Sequence, residues 1–198
     1  MTYHSKHRPS SSTGKHRNRH CDGVNRAELR ASAFDALDGA ADPERSCASR
    51  VRDAAKARDR AISLILDSDP DADLYPEVSS IVTLAADLIL ELLAPGETAG
   101  SSDEWAWRVE AATSLSAILT VVAAFTAHHG RSVPAMIEHL RATGVAFGRA
   151  ALTIAEMAQM QHGANLALSI AGRAAKTTAF MFDAAAHHDR KWLIRSLN

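Results

Sequence analysis

Apolar positions recur along this chain at intervals of three and four residues, the spacing of one helical face, and nowhere alternate at period two long enough for a strand. The strongest signal is Ala111–Ala127, seventeen consecutive residues without a charge. Ser101 as N-cap with Glu104 three residues on is a capping box that starts a helix there, and Asp103 and Glu104 suit its positive end. Trp105, Val109, Ala112, Leu115, Ile118, Leu119, Val122 and Phe125 form its apolar face. Thr113, Ser116, Thr120, Ala123 and Ala127 form a second face, small and mildly polar, that lets a neighbour approach closely. His128-His129-Gly130 ends it, because Gly takes a left-handed C′ conformation at no steric cost. The expectation is a buried central helix around which every other helix packs.

The remaining pattern predicts four or five more helices. The first covers 25–37, with Leu29, Ala33, Phe34 and Leu37 inward and Gly39 as its stop. Asp42-Pro43-Glu44 reads as the start of the second, with Asp42 as N-cap and Pro43 at the first helical position. Its stripe is Cys47, Val51, Ala54, Ala55, Ile62, Ile65 and Leu66. A third spans 76–93, with Val78, Ile81, Val82, Ala85, Leu88, Ile89 and Leu92 inward. After Gly130, Ser132 caps a helix with Pro134 in its first turn and a seam through Val133, Ile137, Leu140, Gly144, Phe147, Ala151, Ile154 and Ala158. Gly144 and Gly148 have the spacing of closely packed helix pairs, and Gly144 is also where this helix would break in two. Asn165 caps a last helix to about Ser196 carrying Leu166, Ile170, Met181, Phe182, Trp192 and Leu193. The fold class is therefore all-α, a single bundle of five or six helices over 23–198, without internal repeats.

Composition changes this picture in two places. Hydrophobic residues make up 46% of the chain but aromatics only 5%, so the core is built of Ala, Leu, Ile and Val, an Ala-heavy usage of the kind high-GC bacterial genomes encode. Residues 1–22 hold five Lys/Arg, four His and no acid before Asp22; with few apolar side chains to offset ordering entropy, they read as a disordered basic tail. Two cysteines, Cys21 and Cys47, make no disulfide framework, and the N-terminal residues lack the apolar run of a secretory signal, so a cytoplasmic location is expected. Seventeen residues at about 1.5 Å rise span about 25 Å, short of a ~30 Å hydrocarbon core, which argues against a membrane-crossing role for 111–127.

Charge is strongly segregated beneath a net of −1. Residues 1–60 carry 13 Lys/Arg against 8 Asp/Glu, residues 61–110 carry 1 against 11, and residues 111–198 carry 8 against 4. This distribution suits a basic N-terminal third that meets a polyanion or an acidic surface. The residues assigned to that contact are Lys6, Arg8, Lys15, Arg17 and Arg19 in the tail, and Arg45, Arg52, Lys56 and Arg60 on one face of the second helix. Only Tyr3 and Phe34 are aromatic in residues 1–60, which argues against base stacking on a single strand.

Other chemistry is weaker. Asp67, Asp69, Asp71 and Asp73 alternate between two helices and resemble an EF-hand loop at its first, third, fifth and seventh positions. Ala72 stands where that loop needs Gly, Pro70 stiffens it, and Val78 replaces the bidentate Glu, so no metal site is assigned. His4, His7, His16, His20 and Cys21 do not assemble a closed zinc site. Asp183, His187 and His188, with His128, His129, Glu110 or Glu156, are the acid–base candidates. No Glu has His three residues later, which removes the di-iron bundle pattern. Met136, Met157, Met160, Met181, Phe147 and Phe182 are candidates to line a small-molecule pocket, although Met and Phe at helical spacing more often fill a core. The expectation is a non-enzymatic interaction protein without a cofactor, free to form homo-oligomers. Membrane association and small-molecule binding are the competing readings.

Overall fold

A computed structural model describes residues 22–66, 75–94, 101–129, 133, 135–160 and 165–196. They form six helices: α1 (Asp22–Ala41), α2 (Cys47–Leu66), α3 (Tyr75–Leu93), α4 (Ser102–His129), α5 (Met136–Met160) and α6 (Asn165–Ser196). No strand occurs among the described residues. Two antiparallel hairpins, α1/α2 and α5/α6, have the most extensive interfaces, and α4 lies between them, packing on α2, α3, α6 and more lightly on α5. The first helix rests on α2 and, less, on α3, so the helices do not all gather around Ala111–Ala127. That stretch is nonetheless mostly hidden by its own chain: Ala111, Ala112, Leu115, Ile118, Leu119, Val122, Ala123 and Ala127 are all buried.

Local chemistry explains the helix ends. The Glu104 N–H donates to Ser101 Oγ at 3.1 Å, as the capping box requires. The Glu104 carboxylate, however, accepts from Arg108 one turn on. The Arg108 guanidinium lies over the rings of Trp105 and Trp107, and Arg50 covers Trp107 at 4.8 Å. This cluster ties the start of α2 to the start of α4. The second helix begins later than the Asp42-Pro43 signal implies. Asp42 Oδ1 accepts the Glu44 N–H at 2.9 Å in a local turn, and Ser46 caps the helix through the Ser49 N–H at 3.3 Å. A short Asp side chain closes such turns as readily as helix starts.

Gly39, expected to end the first helix, does not, and Gly144, where a break was the alternative reading, leaves α5 whole. Gly39 is buried inside α1, and a Cβ there would lie 2.8 Å from both Arg45 Nη1 and Asp53 Oδ2. It leaves room for the Arg45–Asp53 ion pair of 2.8 Å in the hairpin. Gly144 sits in an unbroken α5, where a Cβ would stand 3.2 Å from Met181 Cβ and 3.3 Å from Phe182 Cε2. Its role is close approach of α6, as the glycine spacing suggested. Ala135, just before α5, has φ of 59°, a left-handed conformation that favours glycine.

The seams differ from expectation most in α2, and Leu166 and Phe182 of α6 are exposed as well. All seven inward positions of α3 are buried. In α2 the buried residues are Ala54, Ala57, Ala61, Leu64 and Ile65, whereas Cys47 and Leu66 are exposed. Alanines facing Ala33, Ala36 and Ala40 of α1, all buried, allow the two backbones to approach closely, which a stripe counted only from large side chains overlooks.

Candidate functional site

The basic face of α2 is the first surface. Arg52, Lys56 and Arg60 are exposed, successive members lying four residues or about 6 Å apart along the axis. None has an ion-pair partner among the described residues. Most of the other described arginines of this hairpin are engaged. Arg30 pairs with Glu77 of α3 at 2.6 Å. Arg50 donates from Nε to the Ala40 carbonyl at 2.8 Å, and Arg58 pairs with Asp59. Arg45, grouped with the basic face from sequence, is held by Asp42 at 3.4 Å and Asp53 at 2.8 Å. It therefore stands apart from the three free cations. Lys6, Arg8, Lys15, Arg17 and Arg19 lie outside the described residues, as do Asp67, Asp69, Asp71 and Asp73.

A second feature was not anticipated: a groove of about 530 Å³ between α4 and α6. Thr113, Ser116, Ala117 and Thr120 form its α4 side; Arg173, Lys176, Thr177, Phe180, Met181, Asp183, Ala184 and His187 form its α6 side. The small polar face of α4 is thus left partly uncovered, not closed by a neighbour. Its hydroxyls are turned onto their own helix, Thr113 Oγ1 donating to the Val109 carbonyl and Ser116 Oγ to that of Thr113. The two helices run in the same direction, since Thr126 meets His188 at the far end.

The acid–base candidates do not assemble. Asp183 and His187 line the groove, while His188 points the other way and is 3% exposed. Its Nε2 lies 3.4 Å from Thr126 Oγ1. That hydroxyl also donates to the Val122 carbonyl at 2.8 Å. The other ring nitrogen, Nδ1, is buried without a hydrogen-bond partner. Burial lowers the His188 pKa; Asp189 opposes the shift and His187 adds to it. Asp189 itself faces Arg141 of α5 at 3.9 Å. Glu110 and Glu156 are exposed elsewhere. No group of three or more His, Cys, Asp or Glu among the described residues is placed to hold a metal ion.

Nor do the Met and Phe candidates form a pocket. Met136, Phe147, Met157 and Met181 are buried core residues, while Met160 and Phe182 are exposed. Met and Phe at helical spacing fill a seam here, and only Met181 touches the groove. One helix among the described residues, α4, is long and apolar enough to cross a membrane, and 56% of the relevant segment is buried inside the molecule. No protein-family model, curated protein or solved structure matches the chain.

Proposed function

We propose that this is a non-enzymatic helical interaction protein that docks on a polyanion, nucleic acid in particular, through the basic ridge of α2 and the basic segment before α1. The observation that supports this reading is the contrast within one hairpin. Arg30, Arg45, Arg50 and Arg58 are committed to carboxylates or a backbone carbonyl, whereas Arg52, Lys56 and Arg60 share one exposed face without a partner among the described residues. A run of cations on one straight helix neutralises phosphates along a backbone and reads no base. Binding is then sequence-independent and salt-sensitive.

Fluorescence anisotropy of a labelled 20-base-pair duplex tests it. The intact chain should bind in low salt and release as salt rises. Reversing Arg52, Lys56 and Arg60 to Glu should remove most of the affinity while the helical circular dichroism is unchanged. Absence of salt-sensitive binding to DNA or RNA by the intact protein contradicts the reading.

A further inference from the structure

The α4–α6 groove has an occupant written into the order of its own residues. On α6, Arg173, Lys176, Phe180, Asp183 and His187 line it at intervals of three and four, one continuous stripe of a helix. Phe180 sits at the centre and is 59% exposed. Lys176 is four residues before it and Asp183 three after, opposite charges at nearly equal distances on either side. Neither has an ion-pair partner among the described residues. A stripe with this order is complementary to itself when reversed. Across the stripe, α4 offers only Thr113, Ser116, Ala117 and Thr120, side chains too small to fill the space beside Phe180.

We propose that this groove is the interface of a two-fold symmetric dimer, in which α6 packs antiparallel on α6 of a second copy with Phe180 beside the axis. The symmetry sets Lys176 opposite Asp183 of the partner subunit and Asp183 opposite the partner subunit's Lys176, so one kind of ion pair forms twice. Arg173 then lies opposite the partner's His187. The partner's Phe180 enters the groove above Ala117 and Thr120, and the two rings meet near the axis. Such an interface is isologous: each residue contacts on the partner what its own counterpart contacts in return. A buried aromatic anchor flanked by charge pairs is the usual distribution of binding energy at a protein interface. The apolar surface near the stripe is also consistent with cover by protein, since Leu166 on the same helix is exposed.

Sedimentation velocity in a thiol reductant, which removes any contribution of Cys21 or Cys47, tests the assignment. The intact chain should sediment at twice its own mass at about 100 µM. Phe180→Glu places two carboxylates at the axis and should weaken association at least ~30-fold, the loss of a hot-spot residue. Because Phe180 is exposed, the helical content should be unchanged. Lys176→Asp and Asp183→Lys should each weaken the dimer by about 3- to 10-fold, and the double exchange should restore it, since the swapped pair keeps opposite signs. A monomeric chain at that concentration overturns the proposal. So does a dimer indifferent to Phe180→Glu, or a double exchange that is no tighter than either single change.

Discussion

The two hairpins of the bundle turn opposite kinds of surface to their surroundings. Among the described residues of α1/α2 the one large apolar side chain left exposed is Leu66 at the end of α2, and the outer face of α2 carries cations without an ion-pair partner among those residues. On α5/α6 the exposed large apolar residues, among those described, include Val145, Leu152, Met160, Leu166, Leu168, Phe180 and Phe182. A solvated charged face keeps its favourable hydration until a counter-charge arrives, so contact there responds to salt. Exposed apolar side chains gather a surface that gains by being covered, and contact there persists in salt. The two surfaces proposed above for association thus lie on the two hairpins that flank α4, and their response to salt distinguishes them.

The interiors differ in the same systematic way. The α1/α2 interior is dominated by alanine, with Leu37, Leu64 and Ile65 beside it, whereas the α5/α6 interior adds the larger Phe147 and Met181, with Ile154, to its alanines. Truncation should therefore hurt one hairpin and enlargement the other. Phe147→Ala should cost about 3–5 kcal/mol, the usual loss for a fully buried ring. Ala57→Leu should cost about 1–3 kcal/mol by overpacking the close α1–α2 approach. Both are read from urea midpoints at constant m-value. If Ala57→Leu proved neutral, the alanine seam would not be as close as described.

Smaller effects separate the glycines of α5. A Cβ at Gly144 meets Met181 and Phe182 at 3.2–3.3 Å, while at Gly148 it meets only Thr178 at 3.7 Å. Gly148→Ala should stabilise by up to ~1 kcal/mol through helix propensity. Gly144→Ala should lose that gain to crowding and come out neutral or destabilising by about 1 kcal/mol. Equal gains at both positions would contradict the close α5–α6 packing. Ala135→Gly, which relieves the positive φ before α5, should gain about 1 kcal/mol in the same measurement.

His188 gives a pH dependence of definite sign. Its folded pKa is lowered by burial, so the unfolded chain binds the proton more readily than the folded one. The neutral imidazole is compatible with the fold above the ordinary value of 6.5; as pH falls below it, towards the folded pKa, that stability is progressively lost. A charged ring would leave an N–H at Nδ1 without an acceptor in the α4–α6 contact. Thermal unfolding of His188→Leu should fall less steeply between pH 7 and 5 than that of the intact chain. Parallel curves would remove His188 as a cause.

Helices were legible in the sequence wherever a local rule decides them. Ser101 and Glu104 are three residues apart, so their hydrogen bond needs no knowledge of the rest of the chain. The inward face of α3 follows from large side chains at helical spacing. What was not legible depends on residues distant along the chain. Gly39 read as a stop because the ion pair it makes room for joins Arg45 and Asp53, which the hairpin alone brings beside it. Arg45 counted as a surface cation for the same reason. The groove escaped notice because periodicity shows that Thr113, Ala117 and Thr120 share a face, but not whether a neighbour covers that face. Met136, Phe147 and Met157 were open to two readings, pocket lining or plain core, because apolar residues around a cavity and apolar residues filling one have the same spacing; they are core.

The most direct test of polyanion docking is the dependence of duplex affinity on salt. Three phosphate contacts contribute about 2.7 to the slope of log K against log salt. We expect the Arg52→Glu, Lys56→Glu, Arg60→Glu variant to lose at least that much slope relative to the intact chain, and Arg149→Glu, at an exposed position of α5, to leave it unchanged. Identical slopes for all three proteins would contradict the assignment of the α2 ridge.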